Sequence, residues 1–278
     1  MKTQILLCFT AFSLSCLSFA ETVPASATEH LKPFTNVRVS MQRMLRSDDG
    51  RYFLDLYAGI WNPHGTLHDL TDQKTIAFKG LQKGDQLNLK SVSVNGDVAT
   101  SEQYQLKGNL NANTGDMPAV FSAANNNENI PIQFGPAFTT VVEIERPLFI
   151  FKFYGVENAQ QPYGKALKQV QVLNKTTNQV VQSLTGFTAY PKSIGYMDVN
   201  FDGYEDIVLS DTSNERKIED KRFIYWIYNP KINQFQRSPQ LENITGFPAI
   251  HGEKQQIDFG YGQVYQVKEG LLTRLGSN

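Results

Sequence analysis

The chain has 278 residues, of which 41% are hydrophobic and 19% are charged. This hydrophobic share is ordinary for a folded protein and excludes a wholly disordered chain. The 26 basic residues nearly balance the 27 acidic ones and form no basic stripe, so we do not expect nucleic acid as a partner. The many Phe and Tyr residues, together with Asn, Gln, Thr and Val, favour strands over helices.

Residues 1–20 are typical of a secretory signal peptide: a positive start, an apolar run, and small residues that end at Ala20. Both cysteines, Cys8 and Cys16, lie inside this segment, so the predicted mature chain contains no cysteine. We therefore expect an exported, periplasmic protein without disulfides. A lipoprotein with Cys16 as its lipidated residue is the alternative, although the lipobox-like leucine stands two places before the cysteine rather than three.

Residues 21–36 are small and polar, contain two prolines and lack a hydrophobic period, which predicts a flexible linker. After it we expect one β domain over residues 37–278. Its N-terminal half, 37–155, is predicted to be a meander, and its C-terminal half, 156–278, contains the strongest motif of the chain. No later stretch approaches about 18 consecutive apolar residues, so we expect no membrane span after cleavage.

Within the domain, apolar and polar residues alternate in short runs that turn residues separate. The run over residues 86–94 has a clear period of two and precedes Asn95 and Gly96, a pair typical of a β-hairpin. Similar runs occur at 52–58 and 168–174. Many short strands at roughly even spacing predict an all-β antiparallel meander that closes as a propeller, a sandwich or a barrel.

The strongest motif is DVNFDGYED at residues 198–206. Oxygen donors recur at its places one, three, five and nine, and Gly203 stands at place six, where a calcium loop must turn sharply. An EF-hand would need Glu at place twelve, which is Leu209, and the flanking residues are typical of strands. We therefore predict a Ca²⁺ loop between β-strands, with an ordinary Asp/Asn/Gly turn as the alternative. The predicted ligands are Asp198, Asn200, Asp202, the carbonyl of Tyr204, and Asp206.

A highly charged segment, residues 211–222, follows the motif. It is either a solvated loop or a protein-binding loop that the calcium loop supports. The predicted partner-binding residues are Asn214, Glu215, Arg216 and Lys217. The aromatic run that follows predicts a buried strand, with a carbohydrate platform of Trp226 and Tyr228 as the alternative.

No catalytic pattern is visible in the sequence, and we expect the protein not to be an enzyme. His64 and His68 have the spacing of a metal pair, but Pro63 and Gly65 argue against a helix there, and no third ligand stands nearby in the sequence. The chain contains no Gly-x-Ser-x-Gly elbow, P-loop or dinucleotide fingerprint. A dispersed pair of carboxylates of the glycosidase type is the remaining enzymatic alternative.

The segment from Tyr196 to Asn229, with YMDVNFDGYED followed by a polar loop and YWIYN, resembles a family of exported bacterial proteins. These are calcium-binding β-propeller-like proteins with an FG-GAP- or VCBS-like calcium loop, and their characterised members inhibit lysozymes or act as immunity proteins against lysozyme-like effectors. The upstream runs YAGIWN and IAFKGL are similar as well. The resemblance implies a β-propeller-like fold, with a sandwich or barrel as the alternatives.

By this resemblance, an exposed loop with a tyrosine would enter the cleft of the inhibited enzyme, but residues 211–222 contain no tyrosine. We expect a periplasmic calcium-binding inhibitor of a lysozyme-type peptidoglycan hydrolase that acts by loop insertion. Its partner would be that hydrolase or another secreted protein. The second hypothesis is a protein- or glycan-binding module with structural calcium, which an exposed Trp61 or Trp226 would favour.

Overall fold

The computed structural model describes residues 30–59, 61–93, 103–124, 128–140 and 146–276, and nearly all of its regular structure is β-strand. This confirms the predicted all-β class. The predicted signal peptide and the Asn95–Gly96 turn lie outside these ranges. The folded unit runs from Leu31 onward.

Eight strands form a closed antiparallel barrel, in which each strand pairs with the next along the chain. The strands are β2 (Arg38–Ser47), β3 (Tyr52–Ala58), β4 (His64–Asp69), β5 (Lys74–Lys83), β6 (Gln86–Ser91), β7 (Tyr104–Asn109), β8 (Met117–Ala123) and β9 (Asn129–Pro136). Closure comes from β9, which pairs with β2 over three positions, from Leu45 opposite Pro136 to Ser47 opposite Phe134. A closed barrel leaves no unpaired strand edge.

Apolar residues recur at every second position of the barrel strands, and their side chains fill the interior of the barrel. Tyr52, Leu54 and Leu56 on β3 point inward, as do Leu87 and Leu89 on β6, and all five are buried in one apolar cluster. The residues between them face outward, as expected when successive side chains of a strand alternate between its two faces. The barrel is therefore a packed core rather than a pore.

Three groups of four antiparallel strands, which we call the three meanders, accompany the barrel; β1, from before the barrel, completes the first, and the second continues the barrel sheet. The first contains β1 (Lys32–Phe34), β10 (Phe149–Glu157), β11 (Lys165–Asn174) and β12 (Val180–Leu184). The second contains β13 (Ser193–Met197), β14 (Asp206–Ser210), β15 (Phe223–Asn229) and β16 (Gln234–Arg237), and the third contains β17 (Ala249–His251), β18 (Gln256–Asp258), β19 (Val264–Lys268) and β20 (Leu271–Arg274). A short helix, α1 (Pro239–Glu242), joins the second to the third.

Strand β2 links the barrel to the second meander. Its first residues pair in parallel with β13, from Arg38 opposite Ser193 to Met41 opposite Tyr196. Its last residues pair with β9, and β3 lies along its other edge. One long strand thus serves both parts, which fixes the barrel against the hairpin that carries the calcium motif.

Two predicted boundaries differ from the structure. Lys32–Phe34, assigned to the linker, forms β1 and pairs with β10, because Phe34 packs against the core between the first two meanders. The structured part therefore begins no later than Lys32. Strand β10 crosses the predicted boundary at residue 155 and belongs to the first meander, while the barrel ends at Pro136.

The third meander packs on the outer wall of the barrel. Met44 and Phe53 point outward from β2 and β3 into a buried cluster with Ile250, Ile257 and Phe259. Gly252 begins a 3-10 turn, Gly252–Lys254, that sits directly on this wall. A Cβ at that position would clash with the Met44 sulfur and lie 2.7 Å from the Phe53 ring, so glycine allows the turn to approach the wall without moving these side chains.

Candidate functional site

The calcium motif, residues 198–206, forms the turn between β13 and β14. Its side chains hold the loop from within, because the Asp198 carboxylate accepts hydrogen bonds from the backbone N–H groups of Asp202 (3.1 Å) and Gly203 (2.8 Å). The Asp202 carboxylate accepts from the Tyr204 backbone at 2.9 Å and from the Asn200 side-chain amide at 2.9 Å. The oxygen-bearing side chains at places one, three and five therefore all point into the interior of the loop.

Asp206, at place nine, ties the loop to the sheet. Its side chain is fully buried and accepts the backbone N–H groups of Val199 and Tyr228, each at 2.9 Å. Tyr204 is also buried, and its ring packs 5.3 Å from the Tyr228 ring. Its side chain belongs to the core, so the predicted place-seven ligand is its main-chain carbonyl and not its side chain.

Gly203 occupies place six for two physical reasons. Its φ is +87°, a left-handed conformation that side chains disfavour. A Cβ there would also lie 2.9–3.0 Å from backbone atoms of Phe138, Thr139 and Thr140. The sharp turn expected from the sequence is thus present and is packed against the segment that follows the barrel.

The loop concentrates negative charge in a poorly solvated place. Burial, reinforced by the negative charge of Asp202, raises the pKa of Asp198 from 3.8 to about 8. Burial also raises the pKa of Asp202, and it raises that of Asp206 well above its ordinary value, with the neighbouring carboxylates adding to the effect. Three such carboxylates are not all ionised at neutral pH unless a cation compensates them.

The donor set fits calcium, which prefers six to eight oxygen ligands. The side-chain oxygen of Asn200 is buried and has no hydrogen-bond partner among the described residues, so an oxygen at place three is available for a ligand. The carboxylate oxygens that accept N–H groups each retain a second lone pair. Asn200 and Asp202 also line an open groove of about 890 Å³, which gives an ion access to the loop.

Glu205, at place eight, has a role that the sequence did not reveal. Its buried carboxylate forms an ion pair with Arg43 of β2, and Arg146 lies 3.3 Å from the same oxygen. Arg146 also donates hydrogen bonds to the Gly203 carbonyl. These contacts fasten the loop to the barrel, and no local pattern predicts them because the three residues come from distant segments.

The predicted partner loop lies at the other end of β14. Residues 198–206 precede that strand and residues 211–222 follow it, so about 13 Å of strand separates the two loops. Asn214, Glu215 and Lys217 are exposed, while Arg216 is half-buried and pairs with Asp211 at 3.2 Å. The calcium loop and the charged loop thus lie at opposite ends of one strand, and partner binding by residues 214–217 stays a prediction.

Tyr163, from the loop between β10 and β11, anchors this charged segment. Its hydroxyl accepts a hydrogen bond from the Ile218 backbone at 2.8 Å, at the start of the 3-10 turn Ile218–Asp220. Its ring packs edge-on against Tyr190. The loop that lacks its own tyrosine is thus held by a tyrosine from another segment.

A cluster of exposed aromatic residues lies beside the charged loop, and we call Lys221, Phe247 and Tyr261 the aromatic tip. Tyr261 is 90% exposed at the turn between β18 and β19, and Phe247 is 60% exposed. The Lys221 ammonium lies 5.6 Å from the centre of the Tyr261 ring, and the Lys221 carbonyl accepts the Gly246 N–H at 2.9 Å. These contacts gather three loops into one surface.

Trp61 and Trp226 differ in exposure. Trp61 is 71% exposed on the barrel, after β3. Trp226 is half-buried, with the Arg237 guanidinium 5.7 Å from its ring, and Tyr228 is buried, so the alternative carbohydrate platform on β15 is wrong. Within the described ranges, no helix is both long enough and apolar enough to cross a membrane.

No protein-family model matches the chain, and no curated protein matches it. Among solved structures, a chain of Kuenenia stuttgartiensis hydrazine synthase is similar over 90% of this chain and 80% of that chain, at 10% sequence identity and a TM-score of 0.29. A likeness of this size carries no argument about fold or function.

Proposed function

We propose that the protein is an exported, calcium-binding inhibitor of a lysozyme-type peptidoglycan hydrolase, of the kind that serves as an immunity protein. The observation that carries this proposal is Tyr261, a tyrosine that is 90% exposed on a turn beside the charged loop. The resemblance of the 196–229 segment calls for a tyrosine on an exposed loop, and Tyr261 meets that requirement where residues 211–222 do not.

The chemistry of the aromatic tip suits such a target. Glycoside hydrolases bind sugar rings in a cleft and cleave them with a pair of carboxyl groups. An aromatic ring fills a sugar-sized pocket, and the Lys221 ammonium beside it supplies the charge that complements acidic residues. Phe247, which follows the Gly246 that binds the Lys221 carbonyl, adds exposed apolar area to this tip, as expected for the central anchor of a protein interface.

In this proposal calcium is a scaffold rather than a part of the inhibitory surface. An ion held by Asp198, Asn200, Asp202, the Tyr204 carbonyl and Asp206 would neutralise the buried carboxylates and hold the β13–β14 turn. In the proposal, the predicted partner residues 214–217 form the rim of the interface, since Asn214, Glu215 and Lys217 are exposed and belong to the same charged loop as Lys221. The periplasm is the compartment in which such an inhibitor would meet a hydrolase.

The propeller-like arrangement also belongs to this proposal. The three meanders each contain four antiparallel strands, as propeller blades do, although β1 of the first comes from before the barrel in the chain. A crystal structure in which the meanders are not arranged around a shared axis would contradict this part.

The decisive experiment measures lysis by a panel of lysozyme-type enzymes with and without the mature protein. We expect inhibition by the wild type and a loss of affinity of about 30-fold or more for Tyr261→Ala, the size of an interface hot spot. Tyr261 is too exposed to contribute to the core, so the melting temperature should not change. Trp61→Ala is the matched control, because it removes an exposed aromatic ring from the barrel and should leave inhibition unchanged.

A panel that shows neither binding nor loss of hydrolase activity would refute the inhibitor. That result would favour the second candidate function, a glycan-binding module with structural calcium. The exposed Trp61 supports this function. The same two variants separate the candidates, because binding to purified peptidoglycan would be lost in Trp61→Ala and retained in Tyr261→Ala.

A calcium titration tests the scaffold separately. A ligand present at one hundred times its dissociation constant stabilises the folded state by about 2.7 kcal/mol. For a domain of this size that corresponds to a melting shift of about 5 to 10 °C. We expect this shift for the wild type when calcium replaces chelator and none for Asp202→Ala; equal melting of the wild type in both conditions would remove calcium from the proposal.

A further inference from the structure

A second group of metal-ligating side chains lies far from the calcium motif in the sequence. Asp55 is on β3 and His68 is on β4, and both point away from the barrel interior. Phe53 is opposite His68 in the strand register, and Asp55 is opposite Thr66, so Asp55 and His68 are diagonal neighbours on the outer wall. The 3-10 turn Gly252–Lys254 brings Glu253 onto the same spot.

The three side chains converge on one point. His68 Nε2 lies 3.7 Å from Asp55 Oδ2 and 3.8 Å from Glu253 Oε2, and the three atoms all lie within 4.8 Å of one another. The side chains of Asp55, His68 and Glu253 are 12%, 15% and 7% exposed. The cluster is therefore enclosed between the barrel wall and the third meander.

Glu253 gives an independent sign that a ligand is missing. Its Oε2 atom is buried, faces His68 and accepts no hydrogen bond from any described residue. A buried carboxylate oxygen without a donor is costly, and such groups in native proteins are paired or coordinate metals. The oxygen stands where a cation would satisfy it.

The surrounding residues orient the cluster as outer-shell partners orient metal ligands. His68 Nδ1 lies 3.2 Å from the Thr75 hydroxyl, which fixes the ring and leaves Nε2 directed at the carboxylates. Asp55 Oδ1 accepts a hydrogen bond from the Gln42 amide at 3.3 Å, which leaves Oδ2 directed at His68. Partners of this kind set the tautomer and direction of ligating side chains.

We propose that Asp55, His68 and Glu253 bind one divalent transition-metal ion of the zinc class. One imidazole nitrogen with two carboxylate oxygens suits zinc better than calcium, which takes oxygen ligands. Tetrahedral zinc at about 2.0–2.1 Å from each ligand places ligand atoms about 3.3–3.4 Å apart. The two distances from His68 Nε2, 3.7 and 3.8 Å, are slightly larger than this, and all three atoms lie within 4.8 Å of one another, so side-chain rotations that draw the two carboxylates together would complete the site.

The position of the site indicates a structural rather than a catalytic role. Its ligands are mostly buried, so a substrate would have no access, and the ion would clip the turn at Glu253 to the barrel wall. A water molecule completes the coordination, or His251 does, whose Nδ1 lies 4.0 Å from Glu253 Oε1. The nearby Lys254 ammonium, 3.9 Å from the same oxygen, is exposed and competes weakly for Glu253.

The experiment is a zinc titration of the mature, metal-free protein in the presence of excess calcium, followed by calorimetry. We expect one bound zinc ion for the wild type and at least a tenfold loss of affinity for His68→Gln and for Glu253→Gln. His64→Gln is the matched control, since His64 lies on the same strand but stacks on Tyr57 and contacts the Asn62 carbonyl. Zinc should raise the melting temperature of the wild type and of His64→Gln but not that of His68→Gln or Glu253→Gln.

Cobalt replaces zinc in a parallel titration, because the intensity of its visible absorption distinguishes a tetrahedral protein site from the octahedral aqueous ion. Asp202→Ala removes one predicted calcium ligand and leaves the Asp55, His68 and Glu253 cluster intact, so this variant should bind zinc as the wild type does. If His68→Gln is poorly folded, Glu253→Gln decides the question. Equal zinc affinity in wild type and Glu253→Gln, or no zinc binding by the wild type, would overturn the proposal and leave a protonated His68 paired with two carboxylates.

Discussion

The buried ion cluster around Glu205 gives the sharpest prediction about stability. The side chains of Glu205 and Arg43 are 7% and 6% exposed, and Arg43 also donates a hydrogen bond to the Ala112 carbonyl at 2.9 Å. Glu205→Gln keeps the size of the side chain but removes its charge, so the buried Arg43 guanidinium loses its counter-charge. Breaking a buried pair in this way costs about 3–5 kcal/mol.

Urea unfolding followed by fluorescence measures this cost as a change in the free energy of unfolding. Glu157→Gln is the matched control, because Glu157 pairs with Lys32 at 3.7 Å while their side chains are 50% and 67% exposed. An exposed pair contributes about 0.2–1 kcal/mol. A loss for Glu205→Gln that does not exceed the loss for Glu157→Gln would refute the argument that this cluster fastens the calcium loop to the barrel.

Three further predictions concern the loop and the barrel. Gly203→Ala should destabilise the fold by about 1–3 kcal/mol more than Gly50→Ala in thermal melting, because both glycines have positive φ but a Cβ meets backbone atoms only at Gly203. Phe134→Ala should cost about 3–5 kcal/mol in urea unfolding, since this ring is fully buried in the barrel, and a cost below about 1 kcal/mol would contradict the packed interior. In chelator, the melting temperature should fall as pH rises from about 4 to about 8, because the folded-state pKa of Asp198 is raised from 3.8 to about 8 and the protonated carboxyl stabilises the fold below that range. Calcium should remove most of this fall, and a flat profile in chelator would contradict the burial argument.

The alternation of apolar and polar residues predicted the strands because it is a local property. The run at 52–58 and the run at 86–94 contain β3 and β6, and their inward residues fill the barrel. The alternation could not predict that the barrel closes, because closure depends on the pairing of β9 with β2, two segments about ninety residues apart. A propeller, a sandwich and a barrel all use such strands, so the sequence left these architectures open.

The two candidate metal sites likewise differ in whether neighbouring residues of the sequence reveal them. The calcium motif is local, so the spacing of Asp198, Asn200 and Asp202 located the loop before its structure was known. The cluster at His68 was missed, because its other members stand on another strand and on a turn near the end of the chain. Two partial signals were available: His68, whose metal-pair spacing pointed to His64 rather than to its true neighbours, and Asp55, a carboxylate in an otherwise apolar strand, which marks a buried charge that needs a partner.

In the proposed function, the loop that binds calcium and the surface that binds the partner lie at opposite ends of β14, so the ion affects stability and not the contact with the partner. The calcium loop enters the strand at Asp206, while the charged loop leaves it after Ser210 and reaches the aromatic tip through Lys221. An ion at one end of a paired strand stabilises the hairpin but makes no contact with a partner at the other end. Inhibition by Asp202→Ala should therefore follow the folded fraction of the protein, whereas Tyr261→Ala should lose inhibition while fully folded. A calcium requirement that persists when Asp202→Ala is fully folded would instead place the ion in the interface.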